Sequence, residues 1–193
     1  MLETFFLSTG VVALAEIGDK TQLLALLLAV RFKRPLPIVA GIVVATLANH
    51  ALAGALGAWI STLLDPMVLR WVVGVSFLAM AVWVLIPDRI EQDEARLGAR
   101  LGVFGATVVT FFVAEMGDKT QIATVALATQ ASSIAMVVLG TTLGMVLANA
   151  PVVWLGRQLS RRVSMRLVHG AAAVLFALIG LAVLTGLADR FGV

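Results

Sequence analysis

The chain has 193 residues, 61% of them hydrophobic, and its mean hydropathy of +1.04 is far above that of a soluble domain. The formal charge of +3 and the pI of about 10.2 invite a nucleic-acid partner, but the cations sit between apolar runs instead of forming one basic face, which excludes that reading. The absence of Cys excludes disulfides and thiolate metal sites.

Six apolar stretches follow one another, roughly 4–30, 36–60, 67–86, 103–129, 134–156 and 166–187. Each reaches the ~20 residues that cross a ~30 Å hydrocarbon layer as a helix. The predicted fold class is all-α, a polytopic membrane protein with six transmembrane helices. The opening Met1-Leu2-Glu3 lacks the basic segment of a secretory signal peptide, so the first stretch is predicted as a permanent span.

That first stretch carries Ala15-Glu16-Ile17-Gly18-Asp19-Lys20-Thr21-Gln22. The fourth repeats it as Ala114-Glu115-Met116-Gly117-Asp118-Lys119-Thr120-Gln121, with one apolar residue changed. Similarity extends further: Ala48-Asn49 matches Ala148-Asn149, and Phe77 matches Phe176. The chain therefore divides into a first three-helix repeat over 1–87, a cytoplasmic connector over 88–102 and a second three-helix repeat over 103–193. Three is odd, so the second repeat enters the membrane from the opposite face. Such inverted repeats place a substrate site near the midplane, at their interface. Both motifs begin about 12 residues into their spans, or ~18 Å at 1.5 Å per residue, close to the bilayer centre.

Ten cations fall on one side of the six-span threading: Arg31, Lys33, Arg34, Arg89, Arg96, Arg100, Arg157, Arg161, Arg162 and Arg166. The other side holds Arg70 and Arg190, and Lys20 and Lys119 lie within the motifs. The positive-inside rule puts the ten-cation side in the cytoplasm and both termini outside, with anionic lipid as a secondary partner. In the connector, Ile90, Leu97 and Leu101 have the spacing of a short interfacial helix, and a solvated linker is the alternative. Its acids Asp88, Glu91, Asp93 and Glu94 could gather cations at a cytoplasmic mouth.

Ionisable groups at membrane depth are costly and mark function by default. On a continuous helix Glu16 and Asp19 would face the same way, as would Glu115 and Asp118. Across the repeat interface these four acids could coordinate a hard divalent cation, which takes about six to eight oxygens. Asn49, Asn149, Thr21, Thr120, Gln22 and Gln121 are the candidate neutral donors. Gly18 and Gly117 either loosen the backbone or permit close packing. Lys20 and Lys119 are read as charge compensation: four acids and two amines leave a charge that one divalent ion neutralises. Metal and protons compete for the same carboxylate oxygens, so the residues point to cation/proton exchange. Two buried ion-pair staples are the structural alternative, but desolvation roughly cancels the gain from such pairs.

Other residues carry blander expectations. The small residues of the second and fifth spans, Gly41, Ala45, Ala48, Ala53, Gly54 and Gly57, then Gly140, Gly144, Ala148 and Ala150, suit packing within the bundle, with a dimer interface as the alternative. His50 has no counterpart in the second repeat and is expected to pack or hydrogen-bond, and His169 to face the interface. Met116 is expected to pack in the core, with a thioether that favours Mn²⁺ over Ca²⁺ as the alternative. Trp59, Trp71, Trp83 and Trp154 are expected as interfacial anchors.

Two copies of Glu-x-Gly-Asp-Lys-Thr, each opening a three-helix half, closely resemble the Gdt-type family of small membrane cation exchangers, over essentially the whole chain. The resemblance implies transport of Mn²⁺ or Ca²⁺ in exchange for protons. Its eukaryotic members work in Golgi and chloroplast membranes, and its bacterial members are implicated in manganese export. By position it makes Glu16, Asp19, Glu115 and Asp118 the functional acids, with Lys20, Thr21, Lys119 and Thr120 completing the pattern. It also implies a bacterial plasma-membrane form with Mn²⁺ as principal substrate. The metal is cargo, and neither a cofactor nor an enzymatic activity is expected. A divalent-cation channel and an intramembrane aspartyl protease using Asp19 and Asp118 are the competing readings. Oligomeric state is not legible.

Overall fold

The computed structural model describes residues 1–86, 101–155 and 165–187. Most of the expected connector, including Ile90, Leu97 and the acids Asp88, Glu91, Asp93 and Glu94, lies outside the described residues. So do Arg89, Arg96, Arg100, Arg157, Arg161, Arg162 and Arg190. Among the described residues the chain is all-helical, with no strand. The helices are α1 (Leu2–Glu16), α2 (Lys20–Phe32), α3 (Pro35–Leu63), α4 (Pro66–Trp83), α5 (Gly102–Ala114), α6 (Lys119–Gln130), α7 (Ile134–Leu155) and α8 (Met165–Leu184).

Among the described residues, four stretches are long and apolar enough to cross a membrane: Pro35–Leu63, Pro66–Trp83, Ile134–Leu155 and Arg166–Leu184. The runs 4–30 and 103–129 correct the expectation of unbroken helices. Each is divided at its motif, into α1 and α2 and into α5 and α6. A helix of 15 residues such as α1 extends only ~22 Å, short of the hydrocarbon thickness. The physical cause lies in the glycines. Gly18 at φ 88° and Gly117 at φ 75° take the left-handed conformation that costs glycine little, and a right-handed helix cannot pass through it.

Other boundaries follow local chemistry. Lys33 at φ 53° ends α2, its N–H returning to the Ala29 carbonyl, and Pro35 opens α3 where a missing N–H costs nothing. Asp65 caps α4 by accepting from the Met67 N–H at 2.9 Å, ahead of Pro66.

Helices α1–α4 belong to the half that carries the first motif copy and α5–α8 to the half that carries the second. Helix α1 packs on α7 and α5 on α3, α6 packs on α3 and α2 on α7, and α4 packs on α8. Exchanging the halves maps these contacts onto one another. The paired Phe77 and Phe176 meet at the α4–α8 seam, ring centroids 6.1 Å apart. Two apolar clusters flank the motifs. One gathers Val11, Phe77, Met80, Leu127 and Phe176; the other gathers Val12, Leu24, Ile42, Phe111 and Met145.

Small residues let helix backbones touch. A Cβ on Gly57 would stand 2.4 Å from the Val125 carbonyl oxygen of α6, and one on Gly140 2.5 Å from that of Phe5 in α1. These glycines serve packing within the bundle. The outward faces are apolar as well: Trp59, Trp71, Trp154, Leu63 and Leu178 are exposed, while Trp83 and His169 are half-buried. A bundle apolar both inside and out is built for lipid.

Candidate cation centre

The two helix breaks bring their acids together. Glu16 is the last residue of α1, and Asp19 stands just before α2 in an extended conformation (φ −76°, ψ 168°). The second copy repeats this, with Glu115 following α5 and Asp118 preceding α6 at φ −77° and ψ 164°. The acids of each motif therefore do not share a helix face, as a continuous helix would have it. Their approach is made by a tight turn, in which the Asp19 N–H donates to the Glu16 carbonyl at 3.0 Å and the Asp118 N–H to that of Glu115 at 3.2 Å. Breaking a helix here also exposes carbonyls at the ends of α1 and α5, whose partial negative charge favours a cation.

Carboxylate oxygens of Glu16, Asp19 and Asp118 all lie within 4.8 Å of one another, and all three residues are buried. Two come from the first half and one from the second. Glu115, fully buried, joins through Thr120, whose hydroxyl stands 3.1 Å from Glu115 Oε2 and 3.4 Å from Asp118 Oδ2. In the first copy the equivalent Thr21 donates to Glu16 Oε2 at 2.6 Å. Each threonine thus holds its glutamate, leaving Glu16 Oε1 and Glu115 Oε1 buried with no hydrogen-bond donor. Buried acceptors are normally satisfied, so two bare carboxylate oxygens beside three converging acids are suited to a bound cation.

The glutamines brace the turns. Gln22 Oε1 accepts from the Gly18 N–H at 3.0 Å, and Gln121 Oε1 from the Gly117 N–H at 2.7 Å. Both side-chain oxygens are therefore spent on backbone. Their amide groups tie each break to the opposite half: Gln22 Nε2 donates to the Ala148 carbonyl at 3.0 Å, and Gln121 Nε2 to Asn49 Oδ1. Asn49 in turn donates to the Phe112 carbonyl at 3.3 Å. Asn149 is placed differently. Its Nδ2 turns to the Met145 carbonyl at 3.1 Å and to Met145 Sδ at 3.0 Å, while its Oδ1 is buried with no donor. Of the two asparagines, Asn149 has an oxygen to offer and Asn49 is engaged.

The lysines also differ. Lys119 is buried and donates to Asp19 Oδ1 across the halves. Lys20 is half-buried and forms no ion pair with Asp118 among the described residues. Met116 corrects the expectation of core packing: it is 56% exposed, at the tip of the second break. His50 is fully buried in α3 with neither ring nitrogen hydrogen-bonded, so its part is packing.

Residues that the motif did not announce also contribute. The Phe112 and Ala148 carbonyls and Met145 support Gln22, Asn49 and Asn149. Their side chains are apolar and carry no sequence signal. Their only trace is position, since Ala148 precedes the repeated asparagine.

Apolar helices, interrupted twice around a buried group of acids drawn from both halves, define a helical membrane protein with the build of a transporter. Comparison with known proteins makes the assignment specific. The chain belongs to the GDT1 family: the description "Divalent cation/proton antiporter GDT1" matches it twice, over residues 4–92 and 103–190. It is 50% identical over 183 residues to a Vibrio cholerae protein named "Putative manganese exporter", covering 94% of this chain and 90% of that one. A GDT1-like protein of Synechocystis is 29% identical over 198 residues, covering 92% of this chain and 95% of that one. GDT1-like protein 3 of Oryza sativa subsp. indica is 28% identical over 202 residues, or 91% of this chain and 71% of that protein. No solved structure gives a significant match.

Proposed function

We propose that this antiporter exports Mn²⁺, and secondarily Ca²⁺, from the cytoplasm in exchange for protons, through the centre built by Glu16, Asp19, Glu115 and Asp118. The observation that carries the reading is the meeting of Glu16 and Asp19 with Asp118 of the other half, oxygens within 4.8 Å, in a buried position. Thr21 and Thr120 orient the glutamates, Asn149 adds a neutral oxygen, and Lys20 and Lys119 supply compensating charge. Asn49, Gln22 and Gln121 hold the breaks in place. Protons displace the metal by occupying the oxygens it needs. The manganese preference draws on the name of the Vibrio relative.

The topology is part of this proposal. Six spans form two inverted three-helix repeats, 1–87 and 103–193, joined by the 88–102 connector, with α1–α2 and α5–α6 as interrupted first spans. Helix directions support it. Gly140 faces Phe5 and Ser8 while Gly144 faces Thr9 and Ala13, so α1 and α7 run parallel, as spans one and five must. Gly74 faces Leu184 and Gly180 faces Leu78, so α4 and α8 run antiparallel, as spans three and six must. The cation distribution supports an orientation with both termini outside, and the bacterial relatives support a location in the bacterial plasma membrane. A proteolytic pair would need Asp19 and Asp118 to share a proton, yet Asp19 already accepts from an ammonium group.

The test is purified protein in liposomes. An imposed pH gradient is expected to drive saturable Mn²⁺ uptake that reverses when the gradient is reversed. Flux that neither saturates nor depends on the pH gradient would make the protein a channel and overturn the proposal.

A further inference from the structure

Two motifs that differ at one apolar residue do not make identical contacts here. Lys119 is buried against Asp19, but the symmetry-related contact, Lys20 with Asp118, is absent among the described residues and Lys20 is half-buried. Gln121 holds Asn49, but Gln22 holds the Ala148 carbonyl and leaves Asn149 Oδ1 without a donor. The tips differ in the same sense: Met116 and Gly117 are exposed, while Ile17 and Gly18 are half-buried. Around these differences the main helix pairs map onto one another when the halves are exchanged, whereas α1 also packs on α8 and α4 on α6 with no comparable α4–α5 or α2–α8 contact among the described residues. Two halves of the same build, packed unequally around an asymmetric centre, have an equivalent arrangement available, reached by swapping their roles.

We propose that Lys119 and Lys20 take turns as internal cations: a Lys20–Asp118 pair replaces the Lys119–Asp19 pair in a second state, in which the first break becomes the exposed one. The inference rests on the exchanger reading and gives its two access states a residue-level identity. The residues exchanged are the same in both copies, so the two states have nearly equal intrinsic energy, as a transporter cycling between them requires. An ammonium group inside the bundle also keeps an unoccupied carboxylate from standing uncompensated, which would be costly there. Metal arriving at Asp19 competes with Lys119 for the same oxygens. Its binding therefore releases the contact that distinguishes this state. The lysines are positioning residues that couple occupancy to conformation.

Hydrogen–deuterium exchange on the full chain in lipid nanodiscs, without metal, tests this at the two breaks, residues 16–19 and 115–118. Lys119→Met is expected to speed exchange at the first break and slow it at the second, shifting the ratio about tenfold or more, the worth of one charge-assisted hydrogen bond. Lys119→Arg is expected to keep the wild-type pattern, and Lys20→Met to keep it or sharpen it. Asp19→Asn removes the same pair from its other side and is expected to reproduce the Lys119→Met shift, which guards against a folding defect in one variant. Exchange that rises at both breaks in Lys119→Met and Asp19→Asn, or changes at neither, overturns the proposal. Wild-type liposomes are assayed in parallel. Absent pH-driven Mn²⁺ transport there counts against the exchanger reading, whereas intact transport without reciprocal exchange counts against the lysine swap alone.

Discussion

Replacing Gly117 separates backbone conformation from packing as the cause of the second helix break. Gly117 sits at φ +75°, and beyond its chain neighbours no heavy atom of the described residues lies within 4 Å of the place its Cβ would take. An alanine there meets no neighbour, so its penalty is that of a left-handed backbone, roughly 1–2 kcal/mol. At about 2–4 °C per kcal/mol for a chain of this size, Gly117→Ala is expected to lower the melting temperature by about 2–8 °C. Gly117→Asn is expected to lose less than half as much, because Asn enters this conformation more readily. Gly10 supplies the control. It also has nothing within 4 Å, but it lies inside α1, where Gly→Ala gains about 1 kcal/mol. Thermal unfolding of the three variants in one detergent, with Mn²⁺ transport measured alongside, checks the argument. If Gly117→Ala behaved like Gly10→Ala, or no worse than Gly117→Asn, the left-handed glycine would not be what holds the break.

Three other outcomes are expected. Thr21→Val removes the 2.6 Å bond to Glu16 and leaves a buried carboxylate oxygen bare, costing roughly 1.5–3 kcal/mol in thermal or denaturant unfolding, while Thr21→Ser keeps the donor and most of the stability. Asn149→Ala removes an oxygen that has no donor together with the Nδ2 bonds to Met145, so it is expected to cost roughly 0.5–1.5 kcal/mol of stability and to raise the half-saturating Mn²⁺ concentration about 10-fold or more in the liposome assay. Gly57→Ala drives a methyl group to 2.4 Å from the Val125 carbonyl oxygen and is expected to lower stability by about 1–3 kcal/mol through separation of α3 and α6, visible as a melting shift opposite in sign to that of Gly10→Ala.

Much of this molecule was legible in its residues, and the illegible part has physical causes. Hydropathy marked the apolar runs because lipid demands them of every span. It could not see that two runs are interrupted, since the charged residues at 16–20 and 115–119 lower the hydropathy whether or not the helix continues through them. Gly18 and Gly117 were the only hint, and glycine in an apolar run serves close packing equally well, as Gly57 and Gly140 do. Duplication pointed to four acids, three of which the structure brings together, but the assumption of one helix gave the wrong route by which Glu16 and Asp19 approach. The unequal parts played by Lys20 and Lys119, and by Asn49 and Asn149, could not be read at all. The motif copies differ only at Ile17 and Met116, so their asymmetry is a property of conformation and not of composition.

Equilibrium Mn²⁺ binding with simultaneous proton counting, on purified protein in detergent, decides whether metal and protons share the buried carboxylates. The account predicts a single saturable site per chain whose filling releases protons, with both the binding and the release lost in Glu16→Gln and in Asp118→Asn. Mn²⁺ binding that survives those substitutions unchanged, or that fills the site without releasing protons, would contradict it.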